Sequence, residues 1–308
     1  MVMPAGADSI TFCESLRPGL SRPGSRVRLK ATMSQATAPQ SLQPQEGWVV
    51  QHLFFHVDHG LWAALTPQEQ AERTARLQTT VDAIRAHPKT QLLTFSMVGP
   101  KADLGFMLLT PDMQDSDRFA KQLALALGPD ALSPSWSYLS MTEWTEYSES
   151  EEEAAARLQK TEGLEPGTEA FEKRLGEWKA HMSKYYQDRL YPNMPDWPVM
   201  CFYPMSKRRN VGANWYAQDF AKRRELMGGH AKTGRKYAGK VRQLITGSTG
   251  LDSHEWGVTL FAHDVFQIKS IVYEMRWDEV TTQFGEFGDF FIGIQLPVPA
   301  LLERVLSA

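Results

Sequence analysis

Tyr203, Met205 and Lys207 stand two residues apart in a segment that continues the apolar run Val199-Met-Cys-Phe202. That pattern predicts a β-strand over 199–207. Alternate strand residues project from one face, so the phenol, the thioether and the ammonium share a side. Such a face suits a pocket for something polar and open to oxidation better than it suits an apolar core. His230 follows in Gly228-Gly-His-Ala-Lys-Thr-Gly-Arg-Lys-Tyr-Ala-Gly-Lys-Val-Arg-Gln243. No cysteine or second histidine stands near it at a zinc-like spacing. The plain alternative is a structural histidine. The two preceding glycines allow close backbone approach, and a single imidazole suits axial ligation of an iron whose other ligands come from a macrocycle.

Other polar groups gather around these two segments. Val241, Gln243 and Ile245 share one face of a predicted strand, where a buried amide either ties down backbone or points at a ligand. A helix after Asp264 carries an apolar stripe at Val265, Ile268, Val272 and Met275. Arg276 at its end either complements the helix dipole or grips a carboxylate with both arms. His52 and His56 share a face of an opening strand, with His59 past its end, and make a poorer, zinc-type candidate.

The elements that must position these residues follow a repeated plan. Residues 48–147 read as strand, helix, strand, strand, helix, strand. The strands fall at 48–57, 91–98, 104–109 and 135–147, and the helices at 67–87 and 112–127. Thr66-Pro67-Gln68-Glu69 is a capping box with proline at the first helical position. Residues 199–308 repeat the order. Gly105-Phe-Met-Leu108-Leu-Thr-Pro-Asp112 and Gly257-Val-Thr-Leu260-Phe-Ala-His-Asp264 match at Gly, Leu and Asp, each a buried strand ending in a helix-capping Asp. The expected class is α+β, two tandem ferredoxin-like βαββαβ domains packed sheet against sheet as in dimeric α+β barrels. A helical linker over 148–198 joins them. In it, Ser150-Glu151-Glu152-Glu153 is a capping box whose acids suit the positive end of a helix.

The chain has 308 residues, 42% of them apolar and 22% charged, with a net charge of -3. That is enough to bury a sizeable core, and it gives no basic footprint for nucleic acid. No apolar run is long enough for an integral membrane segment. Cys13 and Cys201 stand far apart, which argues against a disulfide framework and for a reducing, cytoplasmic setting. Residues 1–47 differ from the rest, being rich in Ser, Pro, Gly and Gln, with Arg17, Arg22, Arg26, Arg28 and Lys30 against only Asp8 and Glu14 before Met33. They are expected to be a disordered or mis-assigned extension with Met33 as the natural start, a targeting peptide being the alternative.

Taken together, the segments resemble the chlorite-dismutase-like superfamily over residues 48–308, and within it the coproheme decarboxylases. The carriers are Lys101-Ala-Asp-Leu104, Tyr138-Leu-Ser-Met-Thr-Glu143, Phe202-Tyr-Pro-Met-Ser-Lys207, Gly234-Arg-Lys-Tyr-Ala-Gly-Lys240, Glu255-Trp-Gly-Val-Thr-Leu260, Tyr273-Glu-Met-Arg-Trp-Asp-Glu279 and Phe287-Gly-Asp-Phe-Phe-Ile-Gly293. The resemblance implies iron porphyrin in the C-terminal domain, with His230 as the proximal ligand of the metal. It implies a homopentamer and transient contact with the ferrochelatase that supplies coproheme. Tyr203 matches the catalytic tyrosine. Arg189, Lys207 and Arg276 match residues that hold the propionates, Met205 and Gln243 line the substrate, and Thr281 stands where serine is common. Position 243 carries arginine in chlorite dismutases and glutamine in many decarboxylases, and Arg242 should point to the other strand face. The implied reaction is oxidation of coproheme (iron coproporphyrin III) by hydrogen peroxide to haem b, two propionates becoming vinyls in sequence through a radical on Tyr203. The rival expectations are a chlorite dismutase or peroxidase-like haem enzyme, and a non-catalytic haem carrier or sensor.

Overall fold

Two stretches of chain with the same order of elements build residues 40–307, the part that this computed structural model describes. The first contains β1 (Val49–Val57), a short α1 (His59–Ala64), α2 (Pro67–Arg85), β2 (Gln91–Met97), β3 (Leu104–Thr110), α3 (Met113–Leu125) and β4 (Leu132–Thr142). Linker helices α4 (Glu151–Glu162) and α5 (Glu169–Leu190) come next. The second stretch begins with β5 (Val199–Lys207), the small hairpin of β6 (Arg209–Asn210) and β7 (Ala213–Asn214), and α6 (Phe220–Arg235). It continues with β8 (Val241–Gly247), β9 (Trp256–Ala262), α7 (Val265–Met275), α8 (Glu279–Phe284), β10 (Gly285–Phe287) and β11 (Phe291–Gln295). Helix α9 (Val298–Leu306) follows.

The first sheet has the order β4-β1-β3-β2 and the second β11-β5-β9-β8, the same ferredoxin-like pattern twice. Their edges also pair, β11 with β2 and β4 with β8, so the two sheets face each other and close into a barrel without open edges. Aromatic side chains fill the interior. Phe54 and Phe291 stack with ring centres 4.5 Å apart, and Trp136, Tyr138 and Phe202 pack around them.

The internal repeat is real in three dimensions. Asp112 and Asp264 cap α3 and α7, accepting the backbone N–H groups of Gln114 and Phe266 at 2.8 and 2.9 Å. Gly105 and Gly257 occupy matching places in the barrel wall. A Cβ on Gly105 would lie 2.6 Å from Met97 Sδ, and one on Gly257 would lie 2.9 Å from the Tyr138 ring, so a side chain at either would push a packed neighbour aside. Thr66 and Glu69 form the expected capping box on α2, and Ser150 and Glu153 form the one on α4.

Three expectations need correcting. The strand expected over 135–147 is β4, which starts at Leu132 and stops at Thr142. The β4 ladder with β1 ends at Met141 and its ladder with β8 at Thr142, and the aromatic stretch after Glu143 is loop. In α7 the stripe includes Ile271, which is fully buried, whereas Val265 in the first turn is exposed. Of the expected N-terminal extension, residues 1–39 lie outside the described residues. Ser41 and Leu42 are tied to the fold, donating to Asp112 at 2.6 and 3.1 Å. Cys201 is buried and free, whereas Cys13 lies outside the described residues.

Candidate active site

Register sets the floor of the site. Antiparallel pairing places Tyr203 beside Val258 and Ile245 in one row, and Met205 beside Trp256 and Gly247 in the next. Tyr203, Met205 and Lys207 do share a face of β5, and all three line a cavity of about 560 Å³, with Val258, Trp256, Gln243 and Ile245. Facing them is α6, whose Arg223, Met227 and His230 recur at helical spacing along one side. Val272 and Met275 of α7, Thr281 of α8 and Phe287 of β10 close one end. Arg189 at the end of α5, Trp215, Tyr216 and the loop Glu143–Tyr147 close the other sides. The volume is that of a cavity for an organic ligand.

His230 is oriented by a carboxylate. Its Nδ1 lies 2.7 Å from Asp278 Oδ2, while Asp278 Oδ1 accepts the backbone N–H of Thr281 at 2.9 Å and caps α8. Burial works to raise the Asp278 pKa, but the bonds from His230 and Thr281 outweigh it and hold the group below the usual carboxylate range. An imidazole that donates Nδ1–H to an anion presents a lone pair at Nε2, the arrangement that orients histidines as metal ligands. Asp278 was not singled out by sequence. Its visible signal is that of a helix cap three residues before Thr281, and only the fold reveals the pairing with a histidine 48 positions away.

Lys207 is 7% exposed, and its ammonium lies 4.7 Å from the centre of the Trp215 ring. Burial pushes its pKa down to about 8, against the pull of Asp278 and Glu255. Among the described residues its ammonium makes no ion pair. The Tyr203 ring stacks on Phe290 at 4.4 Å, and burial raises its hydroxyl pKa strongly. Arg189 Nε is buried with no hydrogen-bond partner. Lys207 and Arg189 thus bring two cations to the cavity lining, one buried without an ion pair and the other with a buried Nε–H that has no partner.

Arg276 departs from the expected set. It does not line this cavity. Its guanidinium lies 3.9 Å from the centre of the Phe287 ring and borders an adjoining groove with Cys201, Ile268 and Phe290. Arg242 is exposed on the opposite strand face from Gln243, as alternation requires. The histidine cluster near the chain start dissolves. His52 is fully buried in the barrel, its Nε2 2.9 Å from Thr259 Oγ1, while His56 lies 3.4 Å from Asp103. Among the described residues no group of His, Cys, Asp and Glu is placed to hold a metal ion by itself.

A family model for chlorite dismutase matches residues 70–296. The chain belongs to the chlorite dismutase family. It is 33% identical to a heme-binding protein from Thermus thermophilus, over 87% of this chain and 98% of that one, with a TM-score of 0.71. A mutant chlorite dismutase from Candidatus Nitrospira defluvii is 17% identical, over 85% of this chain and 97% of that chain, with a TM-score of 0.64. At that identity the second likeness speaks for the family fold alone. No helix among the described residues is long and apolar enough to cross a membrane.

Proposed function

We propose that this member of the chlorite dismutase family is a hydrogen-peroxide-dependent coproheme decarboxylase. Its substrate would be iron coproporphyrin III, a macrocycle with four propionates, and its product haem b. The single observation that carries this reading is the β5 face, where an oxidisable phenol and an unpaired buried ammonium look into the cavity that His230 also lines. The heme-binding relative from Thermus thermophilus adds weight.

The residues fit such a ligand. His230, held by Asp278, would bind the iron through Nε2. Bound there, the iron porphyrin supplies the site of reaction with peroxide. Lys207 would pair with one propionate and Arg189 with another, each charged hydrogen bond contributing about 1.5–3 kcal/mol. Arg276 could join them only by leaving the Phe287 ring. Tyr203, kept neutral by burial, would give up an electron and a proton together, and its radical would take hydrogen from the neighbouring propionate. Productive transfer needs approach to roughly 3–3.5 Å, which the propionate contacts would enforce. Gln243 contributes a neutral amide where chlorite chemistry calls for a cation, and Arg242 points elsewhere. A cytoplasmic ring of five subunits, loaded by a ferrochelatase, is the setting expected of this assignment.

The test is direct. Purified protein is loaded with iron coproporphyrin III and titrated with hydrogen peroxide, and the porphyrin is weighed by mass spectrometry. Two successive losses, each a propionate becoming a vinyl, are expected. Oxygen release from chlorite would instead favour the family's eponymous activity, and unchanged porphyrin a carrier. Tyr203→Phe should bind coproheme normally while product formation falls by at least about 100-fold, a barrier increase of about 2.7 kcal/mol or more. Normal turnover by that variant would remove Tyr203 from the reaction.

A further inference from the structure

We infer that Glu143 is the acid that delivers the proton which decarboxylation consumes, an inference that rests on the decarboxylase reading. A propionate that enters as an anion and leaves as vinyl and carbon dioxide releases two electrons but only one proton. Reducing one hydrogen peroxide to two waters takes two electrons and two protons. Each turn therefore draws one further proton, which must reach an oxygen leaving the peroxide as water. Tyr203 returns to its starting state, and the lysine and arginines of the cavity serve as cations. The need is for a carboxylic acid in the cavity wall that is neutral at working pH.

Glu143 has that placement. It follows Thr142, the last residue of β4, and begins the loop that lines the cavity together with Gln243 and Trp256. Its Oε1 accepts the indole N–H of Trp256 at 3.1 Å. The carboxyl is seated against Gly247 so closely that a Cβ there would lie 2.5 Å from its Cδ, so a side chain at 247 would displace it. Burial raises its pKa above the usual carboxylate range, against the lowering effects of the Trp256 bond and of Arg189. Arg189 is the charged group from the neighbouring α5. The adjoining strands offer only uncharged Gln243, Ile245 and Trp256, with Lys207, Arg223 and His230 elsewhere around the cavity. Arrival of an anionic substrate disfavours a second negative charge in the same space and strengthens the acid form. Glu146, the other carboxylate on this wall, does not suit the task, since its side chain is 55% exposed and lies 3.6 Å from Arg223.

Glu143→Gln keeps the size and the bond to Trp256 but has no acidic proton. In coproheme-loaded protein it should slow vinyl formation by about 100-fold or more, the lower end of what general acids contribute. Wild-type turnover should fall as pH rises through the Glu143 pKa, because the protonated form is the active one. That limb should vanish in Glu143→Gln and persist, displaced, in Glu143→Asp. A readout free of turnover is infrared spectroscopy. A protonated-carboxyl band should be present at neutral pH in the coproheme complex and missing from Glu143→Gln. An active wild type with an equally active Glu143→Gln of unchanged pH profile, or with no such band, would overturn the role of Glu143 alone. A wild type that binds coproheme but forms no vinyl would overturn the decarboxylase reading and this inference with it.

Discussion

Helices α2 and α6 hold the same position in the two halves of the barrel, each crossing from the first strand of its unit to the second, yet they do opposite things. α2 presses Leu77, Val81 and Ile84 onto its sheet, where they meet Leu53, Phe55, Leu92, Phe106 and Leu108 in one sealed core also covered by α3 and α9. α6 buries only Leu226, and that among Trp215, Val280 and Phe284 rather than on its own sheet. Where α2 has aliphatic side chains, α6 turns Arg223, Met227 and His230 toward a cavity. One topology thus serves twice, once packed shut for stability and once held open for a ligand. Helix α6 is tied to α4 by Glu153 with Arg224, and to the start of α8 by Asp278 with His230.

The largest effect should come from opening the closed half. Leu77 is fully buried, so Leu77→Ala removes apolar contacts and leaves a void, costing about 2–5 kcal/mol. Met227→Ala, at the cavity edge, creates no new void and should cost about 1 kcal/mol. Urea unfolding of the ligand-free protein measures both. Equal losses would mean that α6 bears on its sheet as α2 does, and that the contrast between the halves is false.

That contrast also explains what sequence could and could not reveal. The repeated glycines and capping aspartates are short sequence signals, and with the order of elements they pointed to two βαββαβ units. The β5 face was legible because strand alternation is rigid, so Tyr203, Met205 and Lys207 had to share a side. Contacts between distant segments were hidden. Nothing near Asp278 announces His230, and nothing near Glu143 announces Trp256 or Gly247. Trp144 and Tyr147 looked like strand residues because aromatics favour strands, and a cavity loop uses the same side chains. Arg276 is a different case. Its place at the end of α7 was legible, but its stacking on Phe287 is a choice among rotamers that the sequence does not constrain.

A medium effect should appear on the open side as pH rises. Lys207 is held at a pKa of about 8, below the 10.5 usual for lysine, so the ligand-free protein binds fewer protons than its unfolded chain between those values. From this group alone, stability of the ligand-free fold should rise across that window. Carboxylate binding works the other way, because it needs the charged form. Affinity for a propionate-bearing porphyrin should fall as pH climbs above 8, with proton uptake on binding in that range. Lys207→Met should weaken binding at neutral pH by about 10- to 100-fold and flatten the pH dependence. Absorbance titrations from about pH 7 to 10, spanning the folded and unfolded lysine values, report both. An unchanged slope in the variant would assign the titration to another group.

The smallest effect tests why α6 carries Gly228 and Gly229 just before His230. The sequence suggested close backbone approach, but both lie in open space, and a Cβ built on either meets no atom within 4 Å. Glycine inside a helix costs about 0.5–1 kcal/mol relative to alanine, chiefly through backbone entropy. Gly228→Ala and Gly229→Ala should each therefore stabilise the isolated chain by about that amount in urea unfolding, with porphyrin affinity unchanged. Loss of affinity or of assembly in either variant would show that a body outside this chain lies against α6. The glycines would then belong to the open half for the same reason as the cavity, leaving room for a partner that α2, sealed on its sheet, never meets.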